Sequence, residues 1–149
     1  MNCISVDDNP LALAAIRQLI EELDYLELVA EFTNAVKAIG FVQKNAVDLI
    51  FLDVMMPVLD GFEICRCLKT NEETCDIPVI FMTALANTKD MEKGFKAGAV
   101  DYITKPFYPH EVLARMNAHL LLRKTQTQLQ TQNDRLQTEI NLREHAEAE

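Results

Sequence analysis

Apolar and polar positions along this chain alternate between two periods. Short apolar runs rich in Val, Ile and Phe occur at residues 2–6, 26–32, 48–52, 78–82 and 101–104, the pattern of buried strands. Between them lie segments with helical spacing at about 10–23, 34–44, 61–71 and 88–97, and a last one begins near Pro109. In the first, Asn9 stands as a cap, Pro10 takes the favoured first helical position, and Leu13, Ile16, Leu19, Ile20 and Leu23 recur on one face. Five strands alternating with five helices predict an α/β fold, a doubly wound parallel sheet covered on both faces.

From residue 124 the pattern thins. TQTQLQTQNDRLQTEINLREHAEAE has no Gly, Pro or aromatic residue. Leu122, Leu129 and Leu136 fall seven apart and Ile140 four beyond, which fits a heptad with leucine at d and Gln126, Asn133 and Ile140 at a. The plain alternative is a solvated helical tail, since about three heptads are marginal alone. Asn133 at an a position favours a short coiled coil, because a buried asparagine fixes register and selects a parallel dimer. The expected organisation is a compact domain over residues 1–122 and a helical coiled-coil extension or linker over 123–149, with a homodimer as the partner state. The last helix stops without a capping signal, which suggests a cut.

Charge and composition narrow the function classes. The 149 residues suffice for one domain, and a formal net charge of −9 with scattered cations argues against a nucleic-acid surface. No apolar run approaches the roughly 18 residues a membrane span needs, so a soluble cytoplasmic protein is expected. Cys3, Cys65, Cys67 and Cys75 show neither a CxxC pair nor a histidine spacing suited to zinc, and are expected to be reduced thiols.

The stretch DLIFLDVMMPVLDGF breaks its apolar run on Asp53 and turns through Pro57 and Gly61. Ligands of open parallel sheets bind beyond the carboxyl ends of the strands, and the polar residues gather there. Asp7 and Asp8 follow the first strand, Asp53 ends the third, Thr83 ends the fourth, and Lys105 follows the fifth. A strand order of 2-1-3-4-5 would bring the three aspartates together. Such a cluster needs a cation, and oxygen ligands with room for water suit Mg2+, while Lys105 and Thr83 suit phosphoryl oxygens. Each residue alone is ordinary capping or turn chemistry. Jointly they describe a phosphate and metal site.

These residues resemble the receiver domain of two-component response regulators. The likeness covers about residues 1–122 and rests on VDDNP (6–10), IFLDVMMPVLDGF (50–62), PVIFMTA (78–84) and GAVDYITKPF (98–107). It implies a flavodoxin-like (βα)5 fold with an extended C-terminal helix. It further implies that Asp53 accepts a phosphoryl group from a sensor histidine kinase or histidine phosphotransfer protein. Asp8, Asp53 and the Met55 carbonyl would hold Mg2+, with Asp7 supporting through water. Thr83 and Lys105 would bind phosphoryl oxygens, Tyr102 would be the switching aromatic, and the Lys105–Pro106 bond would be cis. The face made by the fourth helix, fifth strand and fifth helix would carry the signal into the tail, toward a partner or an output domain absent from this chain. Met55 and Leu85, flanking the path of hydrolytic water in such domains, are bulky and apolar and imply a slowly hydrolysed adduct.

Two finer likenesses diverge. PLALAAIRQLIEEL and LELVAEFTNAVKAI resemble receivers that precede LytTR DNA-binding domains, whereas NEETCDIPVIFMTALAN and the glutamine-rich tail resemble cyanobacterial receivers joined to kinase or cyclase outputs; a recombined chain is one reading. No catalysis beyond the domain's own phosphorylation and dephosphorylation is expected. A haloacid-dehalogenase-type phosphatase would resemble DxD, and here Met55 occupies the second position. A P-loop GxxxxGK[ST] is absent. The remaining alternative is a dimerisation or interaction module that works without phosphorylation, which would not need the acidic pair, Thr83 or Lys105.

Overall fold

A computed structural model of the chain describes residues 1–56, 59–84 and 88–148. Pro57 and Leu85, both singled out above, lie outside the described residues. Elements follow in the order β1 (Asn2–Val6), α1 (Pro10–Glu21), β2 (Glu27–Phe32), α2 (Ala35–Lys44), β3 (Leu49–Asp53), α3 (Gly61–Thr70), β4 (Val79–Thr83), α4 (Thr88–Ala97), β5 (Asp101–Thr104) and α5 (Pro109–Ala148). The strands form one parallel sheet ordered β2-β1-β3-β4-β5, as the sequence predicts.

Local chemistry starts the helices where expected. Asn9 accepts the Leu11 N–H at 2.9 Å, with Pro10 in the first turn. Asn34 caps α2 through Val36 and Lys37, and Asp60 caps α3 through the Glu63 N–H. The alternation of each strand then splits the core in two. Ile4, Val6, Ile50, Leu52, Val79 and Phe81 pack under α2, α3 and α4 with Ala38, Val42, Phe62 and Ile64. On the other face Cys3, Leu49, Phe51, Ile80, Met82 and Ile103 meet Ile16 and Ile20 of α1 and Val112, Met116 and Leu120 of α5. Each fully buried Val, Leu, Ile, Phe or Met among them contributes about 1.5–3 kcal/mol, so both faces are strongly specified.

One polar group interrupts the second face. The Ser5 hydroxyl is buried in the middle of β1 with no hydrogen-bond partner. All four cysteines are free, and burial pushes the thiols of Cys3 and Cys65 up to about 12 and 11, which keeps them protonated and inert.

Helix α5 runs unbroken for 40 residues, through the expected boundary at 122–123. Its sheet-facing side is buried up to Leu120, whereas Leu122, Leu129, Leu136 and Ile140 are about half exposed. No helix among the described residues is long and apolar enough to cross a membrane.

Candidate functional site

Strand parity and register assemble the site. In β1 the side chains of Cys3 and Ser5 share a face with Asp7, and in β3 Leu49 and Phe51 share a face with Asp53. Val6 pairs with Leu52, so the next residues, Asp7 and Asp53, stand side by side. Asp53 pairs with Met82, which puts Thr83 one step further along β4, and Thr83 pairs with Thr104, the residue before Lys105. The Lys105 N–H donates to the Thr83 carbonyl at 2.8 Å. The Lys105–Pro106 bond is cis, as expected.

Carboxylate oxygens of Asp7, Asp8 and Asp53 all lie within 4.8 Å of one another. Asp7 is fully buried, Asp53 nearly so, and Asp8 is exposed at the mouth. The Lys105 ammonium donates to Asp7 Oδ2 at 2.7 Å and stands 3.5 Å from Asp53 Oδ1. Asp7 also accepts the Asn9 N–H at 2.9 Å, and Asp53 accepts the Met55 N–H at 3.4 Å. The Met55 side chain is exposed. Thr83 is buried at the end of β4.

One lysine against three carboxylates leaves the cluster short of positive charge. Burial first, and then the charge of Asp7, hold the Asp53 carboxyl up at about 7, with Lys105 pulling the other way. The donors are all oxygen and two of them are strand-end carboxylates held rigidly, a set that fits a hard divalent cation. The residues therefore fit Mg2+.

Tyr102 sits apart from this cluster but is joined to it through β4. Its ring is buried, in edge contact with Phe81 at 5.6 Å and tilted against Phe95 at 5.9 Å. Its hydroxyl donates to the Asp90 carbonyl in the first turn of α4 at 2.6 Å, and burial holds the phenol neutral, with its pKa up at about 12. The inward pose requires Gly94: a Cβ there would come within 2.5 Å of the Tyr102 ring.

Two glycines support the site by close approaches that the sequence does not show. Gly61 lets the start of α3 abut β3, for a Cβ there would meet the Asp53 carbonyl oxygen at 2.5 Å, and its N–H donates to the Val54 carbonyl. Gly94 is the other. Both are glycines at close approaches, and the only hint in the sequence is an unexpected Gly at a helix start or inside a helix.

The 2-1-3-4-5 parallel sheet with helices on both faces is a flavodoxin-like α/β fold, and its strand ends carry an acidic cluster beside a lysine. A family model described as "Response regulator receiver domain" matches residues 3–117, and the chain belongs to that family. It is 43% identical over 115 residues to the transcriptional regulatory protein YvrH of Bacillus subtilis, covering 77% of this chain and 47% of that protein. It is 36% identical over 135 residues to a probable cyclic di-GMP phosphodiesterase of Vibrio cholerae, covering 91% and 30%. In these two relatives the chain spans about half the length or less. The fold is similar to the receiver domain of the sensor histidine kinase PA1611 from Pseudomonas aeruginosa, solved with a magnesium ion in its active-site cleft. That likeness has a TM-score of 0.72 and 27% identity, over 80% of this chain and 96% of that one.

Proposed function

We propose that this receiver is a phosphoacceptor, and that Asp53 takes a phosphoryl group from a histidine kinase or a histidine phosphotransfer protein. The observation that carries the reading is the convergence of Asp7, Asp8, Asp53 and Lys105 at adjoining strand ends. An Asp53 oxygen attacks the phosphorus of phosphohistidine in line; the new O–P bond forms as the P–N bond breaks, and the imidazole leaves with the electron pair and takes up a proton. Such a transfer asks little of the protein beyond alignment and charge neutralisation. Asp8, Asp53 and the Met55 carbonyl would hold Mg2+, with Asp7 supporting through water, and the ion would supply the neutralising charge. Lys105 and Thr83 hold the phosphoryl oxygens. Thr83 and Tyr102 form the switch, and the α4-β5-α5 face carries the change into the tail as a population shift.

The test is labelling with acetyl phosphate and magnesium. An acid-stable, base-labile adduct that maps to Asp53 is expected. A chain that folds, binds its partner and never forms the adduct would instead be an interaction module independent of phosphorylation.

In the same proposal the tail pairs with a second copy of the chain. The apolar stripe Leu122, Leu129, Leu136 and Ile140 is exposed along the helix. Only a parallel, in-register pair sets Asn133 against its own counterpart, where two amides satisfy each other. An antiparallel pair would set Asn133 against Leu129 and leave the amide unsatisfied. Truncation after Lys124 is expected to lower self-association in sedimentation, and Asn133→Leu to raise it with looser specificity. Unchanged mass in both variants would remove the tail from the interface.

A further inference from the structure

The root of the tail is bolted to the domain by one side chain. The Arg123 guanidinium donates in three directions: to Asp48 Oδ1 at 3.2 Å, to the Asp76 carbonyl at 3.0 Å and to the Val47 carbonyl at 3.3 Å. Its side chain is 21% exposed, so this is a held group rather than a solvated one. Asp48 is engaged further, since its Oδ2 accepts the Asn2 N–H at 2.9 Å and its own N–H donates to the Asn2 carbonyl at 2.7 Å.

The position of these partners matters more than their number. Asn2 opens β1, Val47 and Asp48 immediately precede β3, and Asp76 leads into β4. These are the three strands whose far ends carry Asp7, Asp53 and Thr83. The loop before β4 is gripped from both faces of the sheet. Lys69 of α3 donates to the carbonyls of Cys75 and Ile77 at 2.9 and 2.6 Å, and Arg123 takes the carbonyl of Asp76 between them. Three consecutive carbonyls are thus held by cations from two helices on opposite faces.

Beyond this clamp no described residue of α5 is buried, and the helix continues to Ala148. A helix rises about 1.5 Å per residue, so the segment past Arg123 projects on the order of 38 Å and any change of angle at its root is amplified at its tip. We propose that Arg123 is the positioning residue through which the tail follows the acceptor strands, setting the tail's angle and phase to the starts of β1, β3 and β4. A planar guanidinium can hold three acceptors at once; a lysine ammonium on a flexible stem holds them poorly.

This inference rests on the phosphoacceptor reading, and the two fail differently. Backbone hydrogen exchange of the full chain is measured by mass spectrometry with and without magnesium and beryllium fluoride, a mimic of the aspartyl phosphate, for the parent, Arg123→Ala and Arg123→Lys. In the parent, exchange of amides in 124–132 is expected to change by about tenfold on adding the mimic, the scale of losing or gaining one held contact. Arg123→Ala is expected to take up the mimic as the parent does yet show no change in that segment, and Arg123→Lys to show a reduced one. A merely structural tie would lower stability in Arg123→Ala and leave the mimic-dependent change in place, which would overturn the proposal; so would a parent that takes up the mimic with no change in its tail. If Arg123→Ala does not fold, the comparison of Arg123→Lys with the parent decides. No magnesium-dependent adduct on Asp53 in the parent, seen by intact mass after acetyl phosphate, would sink the phosphoacceptor reading itself and this inference with it.

Discussion

Asp53→Asn is expected to abolish the phosphoryl adduct and, in chelator, to make the fold more stable at neutral pH. The gain comes from removing a charge that the folded state holds at a cost. Burial and the neighbouring Asp7 raise the Asp53 carboxyl to about 7, against an ordinary 3.8. The folded chain therefore binds this proton more tightly than the unfolded chain. Stability linked to it is full below the ordinary carboxylate range and is lost as pH rises through about 7. At pH 8 the parent bears the whole penalty and an asparagine bears none. Each pKa unit corresponds to about 1.36 kcal/mol, which makes the raw shift an upper bound. Solvent screening through the mouth of the site, where Asp8 is exposed, brings the expected gain to about 2 kcal/mol. Urea unfolding in EDTA at pH 8 and pH 5 checks both parts. The variant should have the higher midpoint at pH 8, and the difference should shrink at pH 5. A variant no more stable than the parent at pH 8 would show that Lys105 alone already neutralises the cluster.

The same cluster shows why some of this protein is legible in its sequence and some is not. Strands with a period of two and helices with a period of 3.6 leave the order of elements plain, and Asn9 marks the first helix start by local chemistry alone. The site residues are legible because each is a polar residue ending an apolar strand, so the fold rule for parallel sheets places them. The division of labour within the site is not. Nothing in the order of residues says that Lys105 lies nearer to Asp7 than to Asp53, because that depends on side-chain reach across three strands.

Long-range polar ties are hidden for the same reason. Arg123 in a run of leucines and polar residues reads as part of a solvated face, and only the fold brings Asp48, Val47 and Asp76 to it. The leucine seam is the reverse case. Its heptad is visible in sequence, but a single chain leaves it open to solvent, so whether it is paired is a property of two chains and not of one.

Gly94→Ala is expected to expel Tyr102 from its seat. A Cβ at Gly94 would lie 2.5 Å from Tyr102 Cε2, 2.7 Å from its hydroxyl oxygen and 2.9 Å from Phe81 Cδ2. Real atoms do not approach that closely, and Phe81 cannot retreat because it is fully buried between Phe62 and Tyr102. The mobile partner is the tyrosine, whose ring is near the edge of the sheet at β5. Leaving the seat forfeits its hydrogen bond to the Asp90 carbonyl and its packing on Phe95. Overpacking of this kind costs about 1–3 kcal/mol, and the gain in helix propensity from Gly to Ala, up to about 1 kcal/mol, stabilises α4 in either pose and so leaves the bias untouched. A bias of 2 kcal/mol is a factor of about 30 in population, enough to make the outward pose dominant. If Thr83, drawn toward a bound phosphoryl group, vacates space that the inward ring fills, linkage requires that a variant disfavouring the inward ring also bind beryllium fluoride with magnesium more weakly, by up to that same factor. Tyrosine ring chemical shifts would report the pose and a titration would report the affinity. An inward Tyr102 in Gly94→Ala, still bonded to Asp90, would refute the steric argument; an outward ring with unchanged affinity would uncouple Tyr102 from the acceptor site.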